Sequence, residues 1–114
     1  MIINPNQMEK EIKVKMRGGD GDVHLLHFVS PKDLKNARLL AKITIPCGAS
    51  IGEHEHINET EYYIILKGKA IVVDDGVEKE VKEGDVVVTG KGGKHSIRNT
   101  GSIDLEMIAA IITY

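Results

Sequence analysis

Residues 48–68 read GASIGEHEHINETEYYIILKG. His54 and His56 stand two apart, so on an extended strand both point to one face. Glu61 lies at an odd spacing from His56, and an unbroken strand would turn it to the opposite face. Asn58 offers a turn between them. The strand carrying Glu61 is then expected to run back beside the histidine strand. Two imidazoles and a carboxylate converge, a donor set suited to Mn, Fe, Co, Ni or Zn. The set calls for one more ligand, and His95 is the candidate.

The composition around this stretch favours strands. Ile (15) and Val (10) far outnumber Leu (7), and stiff β-branched side chains fit a pleated sheet. Twelve glycines supply turns. The expectation is an all-β chain whose 114 residues form one domain, of a size at which dimerisation helps stability. A net charge of −2 argues against a nucleic-acid binder, which carries a basic face. The longest apolar run, residues 107–112, is too short to span a bilayer. No secretion signal is read at the N-terminus, and the single cysteine fits a reducing cytoplasm.

Taken in order, residues 1–22 form an N-terminal arm. Its Glu11-Ile12-Lys13-Val14-Lys15-Met16 alternates charged and apolar, as an edge or surface strand does, and its lysines discourage stray pairing. Val23 to Val29 is the next strand. Ser30-Pro31-Lys32-Asp33 has the chemistry of a helix start, predicting one or two turns that end near Asn36. The barrel occupies residues 38–112. Its strands are stopped by Pro46, Gly68, Asp74-Asp75-Gly76, Glu83-Gly84, the glycine loop 90–94 and Thr100-Gly101-Ser102. Asp85–Thr89 reads as a buried strand. Leu105–Ile112 is so continuously apolar that both its faces are expected to be covered. About ten short strands with regular turns suggest a barrel or sandwich.

Two motifs make the pattern specific. Gly48, five residues, His54, one, His56, four, Glu61, six, Gly68 matches the first motif of the cupin family. Gly84, five residues, Gly90, one, Gly92, two, His95, three, Asn99 matches the second, with Gly90 where the family usually has proline. Over residues 48–99 the chain resembles a small single-domain cupin, loosely similar to oxalate decarboxylases. The resemblance implies a double-stranded β-helix, the jelly-roll barrel, with one short helical turn outside it. It also implies a divalent metal held inside by His54, His56, Glu61 and His95, and a homodimer. Gly90 is expected to loosen the second-motif loop without removing a ligand. Asn99 and the motif glycines read as turn and strand fixtures.

Other residues carry secondary readings. Tyr63 shares the face of Glu61 and either donates a hydrogen bond to a ligand or fills the barrel. Tyr62 points the other way, into core or interface. Arg38 and Lys42 lie on the polar face of a strand whose other face is Leu39, Ala41, Ile43 and Ile45. That polar face either lines the lumen, where Arg38 and Lys42 would hold an anionic substrate, or is solvated. Glu53, Glu55 and Glu59 against Lys91, Lys94 and Arg98 form either two charged lips on the cavity or scattered surface charge. His24 and His27, three apart, face opposite sides and make a poor chelating pair. Cys47 reads as an inert small hydrophobe.

Three imidazoles and one carboxylate leave two positions of an octahedral ion open, as a working rather than a structural site does. The leading expectation is a metal-dependent enzyme of decarboxylase or dioxygenase type, acting on a small organic acid bound through a carboxylate. Two others stay open: a metal-dependent isomerase or lyase acting on a sugar or keto acid, and a non-catalytic module that holds a metal or small ligand. A dedicated oxalate decarboxylase has two cupin domains where this chain has one, so the substrate is not read from the sequence.

Overall fold

The computed structural model describes residues 1–114. Its strands are β1 (Glu9–Val14), β2 (Asp22–His27), β3 (Ala37–Ile45), β4 (Ser50–Glu55) and β5 (Glu59–Lys67), then β6 (Lys69–Asp74), β7 (Val77–Lys82), β8 (Val86–Gly90), β9 (Lys94–Asn99) and β10 (Leu105–Thr113). They form two antiparallel sheets. One has six strands in the order β1-β2-β3-β10-β5-β8, the other four in the order β4-β9-β6-β7. Together the sheets make the jelly-roll expected from the sequence.

Period-two alternation fills the space between the sheets. Leu39, Ala41, Ile43 and Ile45 of β3 point inward beside Leu105, Met107, Ala109 and Ile111 of β10. Their register places Leu105 against Ile45, Met107 against Ile43 and Ala109 against Ala41. Ile51, Ala70, Val72 and Ile97 close the core from the smaller sheet. Each large aliphatic so buried contributes about 1.5–3 kcal/mol.

Several local expectations give way to the tertiary arrangement. Ser30 makes no side-chain cap, and the helix start yields one 3₁₀ turn, Pro31–Asp33. Further 3₁₀ turns lie at Pro5–Gln7 and Met16–Gly18. The strand expected to be buried at Asp85–Thr89 is β8, near the sheet edge, with Val87 and Thr89 inside and Val86 and Val88 exposed. One face of β10 is buried, but the other is only partly covered. Cys47 is exposed rather than packed. Gly90 closes β8 beside Thr60, where a Cβ would lie 2.4 Å from Thr60 Oγ1 on the neighbouring strand.

Asn58, with φ of 57°, makes the sharp turn expected of it. The result is a corner, not a hairpin. β4 pairs with β9 in the smaller sheet, whereas β5 pairs with β10 and β8 in the larger one. The chain therefore passes from one sheet to the other between His56 and Glu61, and the two halves of the first motif face each other across the barrel.

A β-bulge on β4 sets the histidines. Ile51 pairs with Ile97 and His54 with His95, so three steps on β4 match two on β9. Without the extra residue, the inward face after Ile51 would fall to Glu53; the bulge re-aims it to His54. Gly52 lies in this bulge, where a Cβ would stand 2.1 Å from the carbonyl oxygen of Arg17. A Cβ on Gly19 would stand 2.3 Å from the carbonyl oxygen of Ser50. The turn of the N-terminal arm is thus pressed backbone to backbone against the bulge.

Asn99 ties down the opposite end. Its Nδ2 donates to the carbonyls of Ile45 and Ile103, each at 2.8 Å, and its Oδ1 accepts from Gly101 N. Asn99→Ala leaves buried carbonyls unpaired and is expected to cost about 2–4 kcal/mol, read by urea denaturation; an unchanged midpoint would contradict this role. Gly52→Ala forces the Arg17 backbone away and is expected to cost about 1–3 kcal/mol. A melting temperature within a degree of the parent's would show that the close approach is not required.

Candidate metal centre

Four donor atoms meet between the sheets. His54, His56, Glu61 and His95 bring one ligand atom each to within 4.8 Å of one another. His95 Nε2 lies 2.9 Å from His54 Nε2, 3.0 Å from His56 Nε2 and 2.9 Å from Glu61 Oε1. His56 Nε2 is also 2.9 Å from that oxygen, and His54 Nε2 is 3.4 Å away. Spacings near 3 Å are those of neighbouring ligands around an ion with bonds of about 2.1 Å.

The outer nitrogen of each ring fixes its orientation and, in two cases, its tautomer. His54 Nδ1 donates to the Gly52 carbonyl at 2.8 Å, and His56 Nδ1 donates to Glu59 Oε2 at 2.5 Å. His95 Nδ1 bonds Thr89 Oγ1 at 2.8 Å. With Nδ1 carrying the proton, neutral His54 and His56 present bare Nε2 lone pairs to the cluster. Lone pairs 3 Å from a third imidazole nitrogen repel unless a proton or a shared cation lies between them. The donor set therefore fits a cation.

Burial would raise the Glu61 carboxyl, but bonds to His54, His56 and His95 outweigh it and hold the pKa far below the ordinary range. Burial lowers the His56 pKa, and its bonds to Glu61 and Glu59 more than reverse this. His95 is depressed, chiefly by burial. Tyr63 is pushed well above its usual value by burial and by the negative charge of Glu61, against a smaller opposing effect of Arg17. Its phenol therefore keeps its proton. The ring of Tyr63 stacks on that of His95 with centroids 4.8 Å apart and planes 8° from parallel.

The candidates from the polar strand face separate here. Arg38 reaches the cavity, but its Nε and Nη2 both bond the Glu59 carboxylate at 2.7 Å. The bond from Arg38 holds Glu59 ionised. Glu59 is not part of an acidic lip: it is buried, and it orients His56. Sequence reading missed this role, although Glu59 shares the strand face of Glu61. Lys42 does not line the lumen. It lies on the outer face of β3, 2.6 Å from Glu106. The charged lips also dissolve: Glu55 and Lys94 form a cross-strand pair at 3.7 Å, and Arg98 bonds Asp20 beside the bulge. His24 and His27 do face opposite sides, His27 buried against Glu11 at 2.9 Å.

A cavity of about 200 Å³ opens onto the cluster. His54, His56, Glu61 and Tyr63 form one wall, and Leu25, Leu39, Ile43 and Ile111 form an aliphatic floor. Glu11, Lys13, Met16 and Arg17 of the N-terminal arm also line it, residues that the motif-based reading did not mark. Their only sequence signal was the charged half of an alternating strand.

Known proteins share this architecture. Residues 41–111 match the Cupin domain family. A Thermotoga maritima protein named oxalate-binding protein is 42% identical over 113 residues, covering 98% of this chain and 93% of its own. A crystal structure of a predicted oxalate decarboxylase from the same organism superposes with a TM-score of 0.93 at 40% identity, covering all of both chains. A sugar phosphate isomerase of the cupin superfamily from Silicibacter pomeroyi shares the fold at 14% identity, with a TM-score of 0.78 over all of this chain and 76% of its own. Fold, motifs and relatives agree, and the chain belongs to the cupin family.

Proposed function

We propose that His54, His56, Glu61 and His95 hold one divalent transition metal, drawn from Mn, Fe, Co, Ni and Zn, and that the protein acts on a small organic acid by decarboxylation or oxygen-dependent cleavage. The observation that carries this reading is the three-histidine, one-glutamate cluster, of which His54, His56 and Glu61 line a small cavity. When bound, the metal supplies polarisation of a substrate carboxylate and a site for oxygen or water chemistry. Glu61 brings the negative charge, and the Nδ1 bonds keep His54 and His56 aimed. Tyr63 holds its phenolic proton and acts toward a substrate only as a donor. Arg38 clamps Glu59 and, through it, His56. The aliphatic floor keeps water out.

Size supports a small acid. At about 200 Å³ the cavity is below the ~300–1,000 Å³ of sites for larger ligands, which disfavours a sugar-phosphate substrate. The relative named for oxalate binding supports a carboxylate ligand. Because that name speaks of binding, a non-catalytic carboxylate holder is the second reading.

Mn²⁺- and Fe²⁺-loaded protein incubated with oxalate and malonate, with and without oxygen, separates the readings. Turnover is expected, and Glu61→Ala is expected to lose metal and activity together. His95→Ala should lower Mn²⁺ affinity. Turnover that survives metal removal contradicts the proposal, and tight binding without turnover favours the second reading.

We further infer a homodimer, built on the outer face of the six-stranded sheet. Ile12, Tyr62, Ile64, Val86, Val88 and Ile112 are all exposed there, around a central Glu106 that pairs with Lys42 and approaches Lys67 at 4.0 Å. Tyr62 and Ile64 of β5 stand beside Val88 and Val86 of β8 in register, and monomers rarely leave such apolar patches to water. A free, exposed Cys47 fits the reducing cytoplasm as its compartment. Sedimentation at micromolar concentration is expected to give a dimer, and a stable monomer would remove this part of the reading.

A further inference from the structure

We propose that Arg17 and Lys13, on the N-terminal arm, form the second pole of the cavity and select a short dicarboxylate over a monocarboxylate. The inference rests on the functional reading above: one carboxylate goes to the candidate metal cluster, and Arg17 and Lys13 receive the other.

The first ground is the orientation of β1. Ile12 and Val14 are 59% and 67% exposed, while Glu11 and Lys13, which alternate with them, turn toward the cavity. Burial of apolar surface alone would turn this strand the other way. The strand gives its charged face to the lumen, and a charge placed there has a use that solvent exposure does not offer.

The second ground is charge accounting. The other ionic groups around the cavity already have partners: Arg38 with Glu59, Glu11 with His27, Glu61 with the imidazoles. Arg17, exposed, and Lys13, half-buried, line the same cavity, and neither is ion-paired to a carboxylate. Two uncommitted cations share this small space with a cluster suited to a divalent metal, so it holds two separate centres of positive charge. An anion with charge at both ends matches it. Arg17 adds a planar fork that fits a carboxylate through two bonds, and Lys13 adds a point charge.

The third ground is backbone fixation. Lys15 and Arg17 adopt left-handed conformations, with φ of 50° and 55°, which non-glycine residues rarely take. Such strain persists where surrounding structure over-determines it. Here the Lys15 amide bonds the Gly21 carbonyl, the Gly18 amide bonds the Lys15 carbonyl, and the Arg17 carbonyl is pressed against Gly52 in the bulge that aims His54. The turn carrying Arg17 is therefore locked to the strand carrying a cluster residue, which fixes the spacing between the two poles. Both cations also lie outside residues 41–111, the stretch shared with the family. That is where specificity can differ on a common barrel.

Calorimetric titration of Mn²⁺-loaded protein with oxalate and malonate, against formate and acetate, tests the proposal. Arg17→Gln with Lys13→Gln is expected to weaken both dicarboxylates by about tenfold or more, while Mn²⁺ affinity and monocarboxylate binding stay within about threefold of the parent. Lys13→Gln alone, which leaves the strained turn untouched, should show a smaller loss in the same direction. Should the double variant fail to fold by circular dichroism, Lys13→Gln decides. Unchanged dicarboxylate affinity, or an equal loss for acetate and malonate, overturns the assignment while leaving the functional reading intact. A parent protein that binds Mn²⁺ but none of the four acids overturns both.

Discussion

The structure depends on a single carboxylate oxygen. Glu61 Oε1 lies between imidazoles carried by the facing sheet, and its charge is buried. An isolated carboxylate in such a place would cost several kcal/mol, so it persists only because His54, His56 and His95 surround it. The reverse also holds. Three imidazoles pointing at one spot repel one another unless something negative and something positive join them. The cluster thus makes one part of the interior polar, and the aliphatics of Ile45, Ile51, Ile97 and Leu105 are left to hold the sheets together elsewhere in the core. Occupation by a cation would bind the folded state alone and so add to its stability by linkage.

Around this oxygen the protein supplies a second layer of constraint. Each ring has its outer nitrogen spoken for: a backbone carbonyl for His54, Glu59 for His56, Thr89 for His95. Groups of this kind set ring angle and tautomer as firmly as the donors set the site. The His56 support extends furthest. Glu59 would itself be a costly buried charge, and Arg38 neutralises it with two bonds while keeping its own side chain half in solvent. Arg38, whose position on β3 turns it away from the core, still takes part because a long side chain can fold its head back over the strand end.

What was legible in the sequence was spacing. Glycine and histidine intervals identify the cupin motifs, and alternation in β3 and β5 separates inner from outer residues correctly, including Glu61 with Tyr63. What was not legible is whatever depends on how strands meet. The turn at Asn58 was visible, but not that it leads to the other sheet, since a hairpin and a corner use the same residue. The bulge at Gly52 was invisible for a like reason: an inserted residue shows only against the partner strand. Glu59 was read as a cavity lip or a scattered surface charge because nothing in one strand reveals an arginine waiting on another. Lys42 was a candidate because a polar stripe does not say which side is the lumen; its alternation with buried Ala41 and Ile43 and its pair with Glu106 settle that it faces out.

The N-terminal arm joins the two sides of the large sheet. Because side chains alternate with a period of two, a one-residue slip of β1 against β2 would exchange its faces. Ile12 and Val14 would turn toward the cavity, and Glu11 and Lys13 would leave it. Two features hold the observed register. Six residues of β1 pair without interruption, Glu9 with His27 through Val14 with Asp22. Beyond Val14 the left-handed turn at Lys15 to Gly18 is wedged on Gly52, so the strand has no slack to shift. The same register that delivers Lys13 to the cavity leaves Ile12 and Val14 facing water. Covering them with a second copy of the chain would remove the one hydrophobic incentive for the strand to slip. Apolar exposure on the outer face and charge in the inner cavity are then two consequences of a single strand register, held by the β1–β2 pairing and by the contact at Gly52.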